Sequence, residues 1–324
     1  MNKKHKLIIV GTLFSLLLLI FVLARLDWQL FLTALTQLSF NHLLFAILGI
    51  LCIVLLRAFR WLLIANTGLQ QFKAFWQAAA IGFLGNMIYP LRAGEVLRVL
   101  AIHHFIGLPF GKALSSSVID RMLDMMMVGI FMLFVIWLHG SQIDASVGVG
   151  AVGVFIICVL ILSILLFMAD KLLIYAKKWH FQKHWQTRLL HWYSHGLQGI
   201  IDFRQAPYAL AVVPITLIIF LGDYYILWQI MTAFGWTLPY SAAITVGVFI
   251  MLGASLPSAP GYIGIYQVAA ILALKLYDID SSTAVAYSVV LQLIQFAVLG
   301  IQGGLVTLYC GFHLSKDPQT VSNH

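Results

Sequence analysis

Apolar residues run along this chain in long blocks rather than in alternation, and the length of each block decides what it can be. A helix needs roughly 20 apolar residues to cross a hydrocarbon core. Six runs reach that length, approximately Leu7 to Ala24, Leu43 to Leu63, Met122 to His139, Val147 to Ala169, Tyr208 to Ala233 and Ala284 to Gly311. Two further regions are apolar but interrupted. Phe75 to Pro90 contains Asn86 and Pro90, and Ala242 to Leu276 is divided by a Ser-Leu-Pro-Ser-Ala-Pro-Gly break from Ser255 to Gly261. Proline removes a helical donor and glycine loosens the backbone, and non-helical backbone survives at membrane depth only when protein shields it or a wet cavity solvates it. The pattern predicts an all-α, polytopic membrane protein with about six full spans and two broken or re-entrant helical hairpins.

Composition strengthens that reading. Of 324 residues, 62% are hydrophobic and 9% charged, far below the roughly 25% charged share of a soluble domain. No polar block is long enough for a separate soluble fold, so residues 1–324 are expected to form a single membrane domain. The first run follows Lys3, Lys4 and Lys6 and precedes Arg25-Leu26-Asp27-Trp28, which favours an uncleaved anchor over a cleaved signal peptide. A formal charge of +8 would point to nucleic acid in a soluble protein. Here sidedness accounts for it, and no nucleic-acid partner is expected. With the amino terminus inside and both interrupted regions re-entrant, 17 of the 19 basic residues share the inner face, all but Arg25 and Lys275. Both termini are then cytoplasmic. Cys52, Cys158 and Cys310 lie in apolar runs and read as buried thiols.

The longest polar stretch, residues 170–206, mixes Lys177, Lys178, Lys183 and Arg188 with Trp179, Trp185, Trp192 and Tyr193. Cations meeting anionic headgroups, with indoles at the boundary, predict an interfacial cytoplasmic segment. His180 with His184, and His191 with His195, have a spacing that metal sites use, but no acidic partner accompanies them. A solvated, pH-sensitive face is the preferred reading, and no metal or cofactor is expected.

Charges are costly at membrane depth, so the polar residues in and beside the spans carry the candidate chemistry. Arg57 and Arg60 lie three residues apart on one helical face, and guanidinium forks match phosphate geometry. Asn86, Arg92, Glu95 and Arg98 follow the first interruption, and Asp120, Arg121 and Asp124 open a span. Glu95 with Arg98, and Arg121 with Asp124, have the spacing of helical ion pairs. Two readings stand: positive-inside anchoring with structural ion pairs, or a polar cavity whose arginines hold a lipid phosphate. The second interruption supplies Pro260, Gly261, Gly264 and Gln267. It forms either a hairpin packed for shape or a break that turns free backbone groups into a cavity. Asp223, well inside the fifth run, is paired across the bundle, relays protons or meets a cationic headgroup.

Taken in order, Arg-x-x-Arg-Trp from Arg57, Asn-x-x-x-Pro-x-x-x-Gly-Glu-x-x-Arg from Asn86, acid-Arg-x-x-Asp from Asp120 and Ser-x-Pro-Gly-x-x-Gly from Ser258 resemble the lysylphosphatidylglycerol synthase transmembrane family. The resemblance covers essentially the whole chain. It implies a flippase-like membrane fold in a bacterial cytoplasmic membrane and movement of polar lipids between leaflets. Carried over, its pattern marks Arg57, Arg60, Asn86, Pro90, Gly94, Glu95, Arg98, Arg121, Asp124, Pro260, Gly261 and Gly264. Asp120 stands where a glutamate is common, and Gln267 where members often carry an acid. The chain ends about 13 residues after its last run, so the soluble transferase of the synthases is missing and synthesis of an aminoacylated lipid is not expected.

The expected function is a lipid translocase or facilitator for an anionic phospholipid or a polyprenyl-linked glycan. In it Arg57, Arg60, Arg92 and Arg98 neutralise the phosphate while the tails stay in the bilayer. Gly107 to Ala113 lacks the spacing and hydroxyl of a P-loop, so ATP is not the expected driver. The alternative is a membrane glycosyltransferase or headgroup-modifying transferase with a divalent ion at Asp278 and Asp280. A third reading is a noncatalytic partner of a lipid-synthesis enzyme.

Overall fold

The computed structural model describes residues 29, 32, 33, 36, 38–89, 92–140, 142, 145–178, 184–255 and 260–310. The first apolar run, Pro90, Trp179 to Lys183 and residues 256–259 lie outside them. Among the described residues every regular element is helical. The ten α-helices are α1 (Phe40–Ala65), α2 (Phe72–Ile88), α3 (Gly94–Ile106), α4 (Phe110–His139), α5 (Ala145–Lys178), α6 (His184–Gln205), α7 (Val212–Ala233), α8 (Tyr240–Ser255), α9 (Ile265–Leu274) and α10 (Ser281–Cys310). Five of these, α1, α4, α5, α7 and α10, are long and apolar enough to cross a membrane. They coincide with the second to sixth apolar runs. The protein is an all-α, polytopic membrane protein.

Local chemistry sets the helix ends. Asn66 closes α1 at φ +49°, and Gly107 closes α3 at φ +66° immediately before Pro109 starts α4. Both are left-handed C-terminal stops. Asp280 starts α10, its Oδ1 accepting the backbone N–H groups of Ser282 and Thr283 at 2.9 Å each, and its Oδ2 accepts the Thr283 hydroxyl.

Each interrupted region is a helical hairpin. α2 and α3 pack against each other, as do α8 and α9. At ~1.5 Å per residue these four helices are ~15–26 Å long, short of the ~30 Å hydrocarbon core. The order long, short, short, long therefore occurs twice, as α1 to α4 and as α7 to α10. Contacts between these halves are reciprocal. α1 packs along α7, α2 against α10, and α8 against α4, so each hairpin leans on the closing helix of the other half. Transporters built from repeats bind their cargo at such a junction.

α6 is amphipathic. Leu197, Ile200, Ile201 and Phe203 are buried, whereas Trp185, Leu189 and Tyr193 are exposed. Its packing on α4 is close enough that a Cβ on Gly111 would fall 2.0 Å from the Trp192 carbonyl oxygen, and Lys112 Nζ donates to Asp202 at 2.6 Å. The His191 and His195 rings are 5.9 Å apart, and no group of three or more metal-ligating side chains occurs among the described residues.

The apolar interior divides into two clusters. One includes Ile50, Ile53, Met127, Phe220 and Tyr287, and the other Trp61, Phe75, Ile102, Met122 and Ile201. Along α1 the buried members of the first cluster stop at Ile53 and those of the second begin at Trp61. Along α4 the buried members of the second stop at Met122 and those of the first resume at Met127. The polar residues fill that gap.

Candidate functional site

Arg57 and Arg60 reach the gap from α1, Glu95 and Arg98 from α3, Asp120, Arg121 and Asp124 from α4, and Asp223 from α7. Arg57 lies ~12 Å from the end of α1 and Asp124 ~21 Å from the start of α4, at ~1.5 Å per residue, so the cluster sits at membrane depth. It survives there because every charge meets its opposite.

Asp120 is the hub. Its Oδ1 is 2.7 Å from Arg60, and its Oδ2 is 3.0 Å from both Arg98 and Arg121. Asp124 faces Arg60 at 2.8 Å, Arg121 at 3.1 Å and Arg57 at 3.4 Å. Arg57 also reaches Asp223 at 2.5 Å. Glu95 pairs with Arg98 at 2.9 Å and with Arg121 at 3.5 Å. Neutral side chains complete the inner layer. Arg60 donates to the Thr216 hydroxyl at 3.2 Å, and Arg98 donates to Ser117 Oγ at 2.7 Å and lies 4.8 Å over the Trp61 ring. Four guanidiniums and four carboxylates thus balance.

Burial sorts these groups. Arg60 is 0% and Asp120 1% exposed, and neither they nor Arg98 reach a cavity. Arg57, Glu95, Arg121, Asp124 and Asp223 do, lining part of a space of about 260 Å³ between the two hairpins. Asn86, Arg92, Tyr262 and Gln295 add further polar groups, and Ile53, Phe83, Met87, Leu227, Met251 and Phe296 form much of the apolar lining. The lining therefore offers both charge and hydrocarbon.

Arg92 stands apart from the network. No carboxylate lies within ion-pair distance of it among the described residues, whereas its Nη2 donates to the Ala254 carbonyl at the end of α8 at 2.7 Å. Its guanidinium carbon is 5.7 Å from the Tyr262 ring centre, within cation–π reach. Arg92 therefore ties the break of the first hairpin to the break of the second. Its buried Nε lacks a hydrogen-bond partner, as do four other atoms of the cavity residues, Asn86 Oδ1, Tyr224 Oη, Glu95 Oε2 and Arg121 Nε, the last two of which are held in ion pairs. Buried polar atoms are normally satisfied, so the three without an ion pair are atoms whose bonding a water or a ligand group would complete. Counting this cluster together with Arg92, five guanidiniums then face four carboxylates.

Glycine lets the first hairpin close. A Cβ on Gly94 would sit 1.9 Å from the Gly82 carbonyl oxygen and 2.6 Å from the Asn86 nitrogen, which presses α3 against α2 and brings Asn86 and Glu95 to one wall. In the second break Gly261 and Gly264 have φ +70° and +86°, values open to glycine. Side chains satisfy the free backbone groups. Gly264 N–H donates to Gln267 Oε1 at 2.7 Å, Gln267 Nε2 to Gln292 Oε1 at 3.0 Å, and Gln292 Nε2 to the Gly261 carbonyl at 2.5 Å. Gln267 is buried outside the cavity wall and acts as the cap of α9. Pro260 opens the short turn before it.

Sequence reasoning did not reach Gln292, Gln295, Tyr262, Ser117 or Thr216. Polar residues inside apolar helices were the available signal for the glutamines and for Thr216. Nothing in the sequence marks Tyr262 or Ser117. Asp280 is engaged in capping α10, and Asp278 takes a left-handed turn conformation at φ +58°.

Comparison with curated proteins and with solved structures finds no match. Residues 8–303 match the family described as lysylphosphatidylglycerol synthase TM region, which ties the chain to membrane-lipid biology. A match over so much of the chain means that this protein belongs to that family.

Proposed function

We propose that this protein moves an anionic lipid between leaflets by admitting its headgroup to the cavity between the hairpins. One observation carries the reading: Arg92, at the contact of both breaks, is the cation left over when the four other arginines are matched by four carboxylates. One phosphodiester carries the single negative charge that balances it. Arg92 Nε, which lacks a protein acceptor, would donate to the phosphate, and Asn86 Oδ1, which lacks a protein donor, would accept from a headgroup hydroxyl or ammonium.

Of the four arginines expected to hold the phosphate, Arg57 and Arg92 line the cavity and keep that role, joined by Arg121, while Arg60 and Arg98 do not line it. Arg60, Arg98 and Asp120 act as the buried frame that holds that lining in place. Preorganised charge removes the cost of stripping water from the headgroup, and the apolar lining of the cavity excludes bulk solvent. Two hairpins that lean on opposite halves supply interfaces that can loosen in turn, the geometry alternating access requires. The transferase alternative has less support, because one of the two carboxylates of its candidate metal site, Asp280, is engaged in capping α10.

The test is leaflet exchange of a labelled anionic phospholipid in vesicles containing the full chain. Exchange above that of protein-free vesicles is expected, with loss in Arg92→Ala and partial retention in Arg92→Lys, which keeps the charge but not the fork. Exchange no faster than in empty vesicles, or unchanged in Arg92→Ala, refutes the reading.

A further inference from the structure

A second cavity, about 290 Å³ and almost wholly apolar, lies between α3, α4 and α5. Val96, Val99, Leu114, Val118, Met122 and Cys158 form most of its wall. Its volume is roughly ten times the ~30 Å³ that one water takes in the liquid, room for a segment of hydrocarbon chain. Val96 is 55% exposed and Leu114 and Val118 43% each, so its outer side faces the surface that lipid covers in a membrane.

Glu95, Arg121 and Met125 belong to the walls of both cavities. The partition between them is thus one ion pair and one flexible side chain. At 3.5 Å, Glu95 to Arg121 is the longest contact of the ion network. Neither residue is stranded when it opens, since Glu95 keeps Arg98 at 2.9 Å and Arg121 keeps Asp120 at 3.0 Å and Asp124 at 3.1 Å. Like every link of the network except Arg57 to Asp223, the pair that separates the cavities can open while both members keep an opposite charge, and it is the longest of them.

We infer that the groove between α3, α4 and α5 takes one acyl chain of a diacyl phospholipid, admitted past the Glu95 and Arg121 pair, while the second chain follows the apolar lining of the central cavity. The inference rests on the headgroup site proposed above. It commits to a two-chain lipid because two apolar compartments meet at one polar wall. A glycerophospholipid carries two chains from the glycerol beside one phosphate, whereas a polyprenyl phosphate has a single chain and fills a single compartment. One chain then travels inside the protein rather than in the bilayer.

Photolabelling at equilibrium tests this without requiring transport. The full chain is reconstituted in phosphatidylcholine vesicles containing phosphatidylglycerol with a diazirine in one acyl chain, and a diazirine-bearing polyprenyl phosphate is used in parallel. Labelled peptides are mapped by mass spectrometry. The expected result is phospholipid labelling on residues 96–99 and 118–122 that excess unlabelled phosphatidylglycerol competes away. That labelling is lost in Val118→Trp and in Val96→Trp, which fill the groove, and kept in Leu217→Trp on the exposed side of α7. Should Val118→Trp fail to fold, Val96→Trp and the wild-type map decide. Labelling spread evenly over exposed helices without competition, labelling that survives both groove variants, or competed labelling by the polyprenyl probe alone overturns the inference. Competed groove labelling without leaflet exchange refutes translocation only, and exchange without groove labelling refutes the groove only.

Discussion

Asp120→Asn isolates the charge of the hub while keeping its shape. The wild-type carboxylate is 1% exposed and lies within 3.0 Å of Arg60, Arg98 and Arg121. Removing one partner of a buried ion pair costs about 3–5 kcal/mol, because the other charge is left uncompensated. Here each arginine keeps another carboxylate, Arg60 and Arg121 through Asp124 and Arg98 through Glu95. The lower end, about 3 kcal/mol, is therefore expected. Equilibrium unfolding in detergent, compared between wild type and variant, reads it. A double-mutant cycle with Arg98→Gln sharpens the test, since removing a cation after its anion relieves the imbalance. The double variant should be more stable than the sum of the single effects predicts, by about 1–3 kcal/mol for groups sharing one network. A change within about 0.5 kcal/mol for Asp120→Asn, or strict additivity in the cycle, would refute the view that the layer is held by mutual neutralisation.

Gly94→Ala drives a Cβ into the Gly82 carbonyl and should cost at least the ~1–3 kcal/mol of overpacking, with faster proteolysis between α2 and α3 as the readout. Gln267→Ala frees Gly264 N–H and one side of Gln292. A loss of about 1–3 kcal/mol is expected for these unsatisfied groups, measured by thermal unfolding. The Asp202 carboxyl is pushed up by burial, but hydrogen bonds from Lys112 and Gln198, with the Lys112 charge, outweigh this and hold it below the ordinary carboxylate value. Its contribution is therefore present above the unfolded carboxylate's pKa and is lost as pH falls through the lower folded one. Asp202→Asn should flatten that acid limb of a stability-against-pH curve. An unchanged limb would mean that the Lys112 contact adds nothing.

Helix length and composition are local properties, and so the sequence determined the all-α character, the spans from Leu43 to Gly311 and both interruptions. The same locality made Glu95 with Arg98, and Arg121 with Asp124, legible, because three-residue spacing places both members on one helical face. Spacing assigns a residue to a face but does not say which helix that face meets. Only the tertiary structure brought Arg60, Arg98 and Arg121 onto Asp120. Across the same fold, Arg57 was joined to Asp223, 166 positions away, and Arg92 was left without an acid among the described residues. It also decided that Gln267 caps a break instead of lining the cavity, since its partner Gln292 comes from another helix. The charges were written in the chain, but their neutralisation is a property of helices packed side by side, and that packing leaves Arg92, alone of the arginines at the cavity, without a carboxylate partner among the described residues.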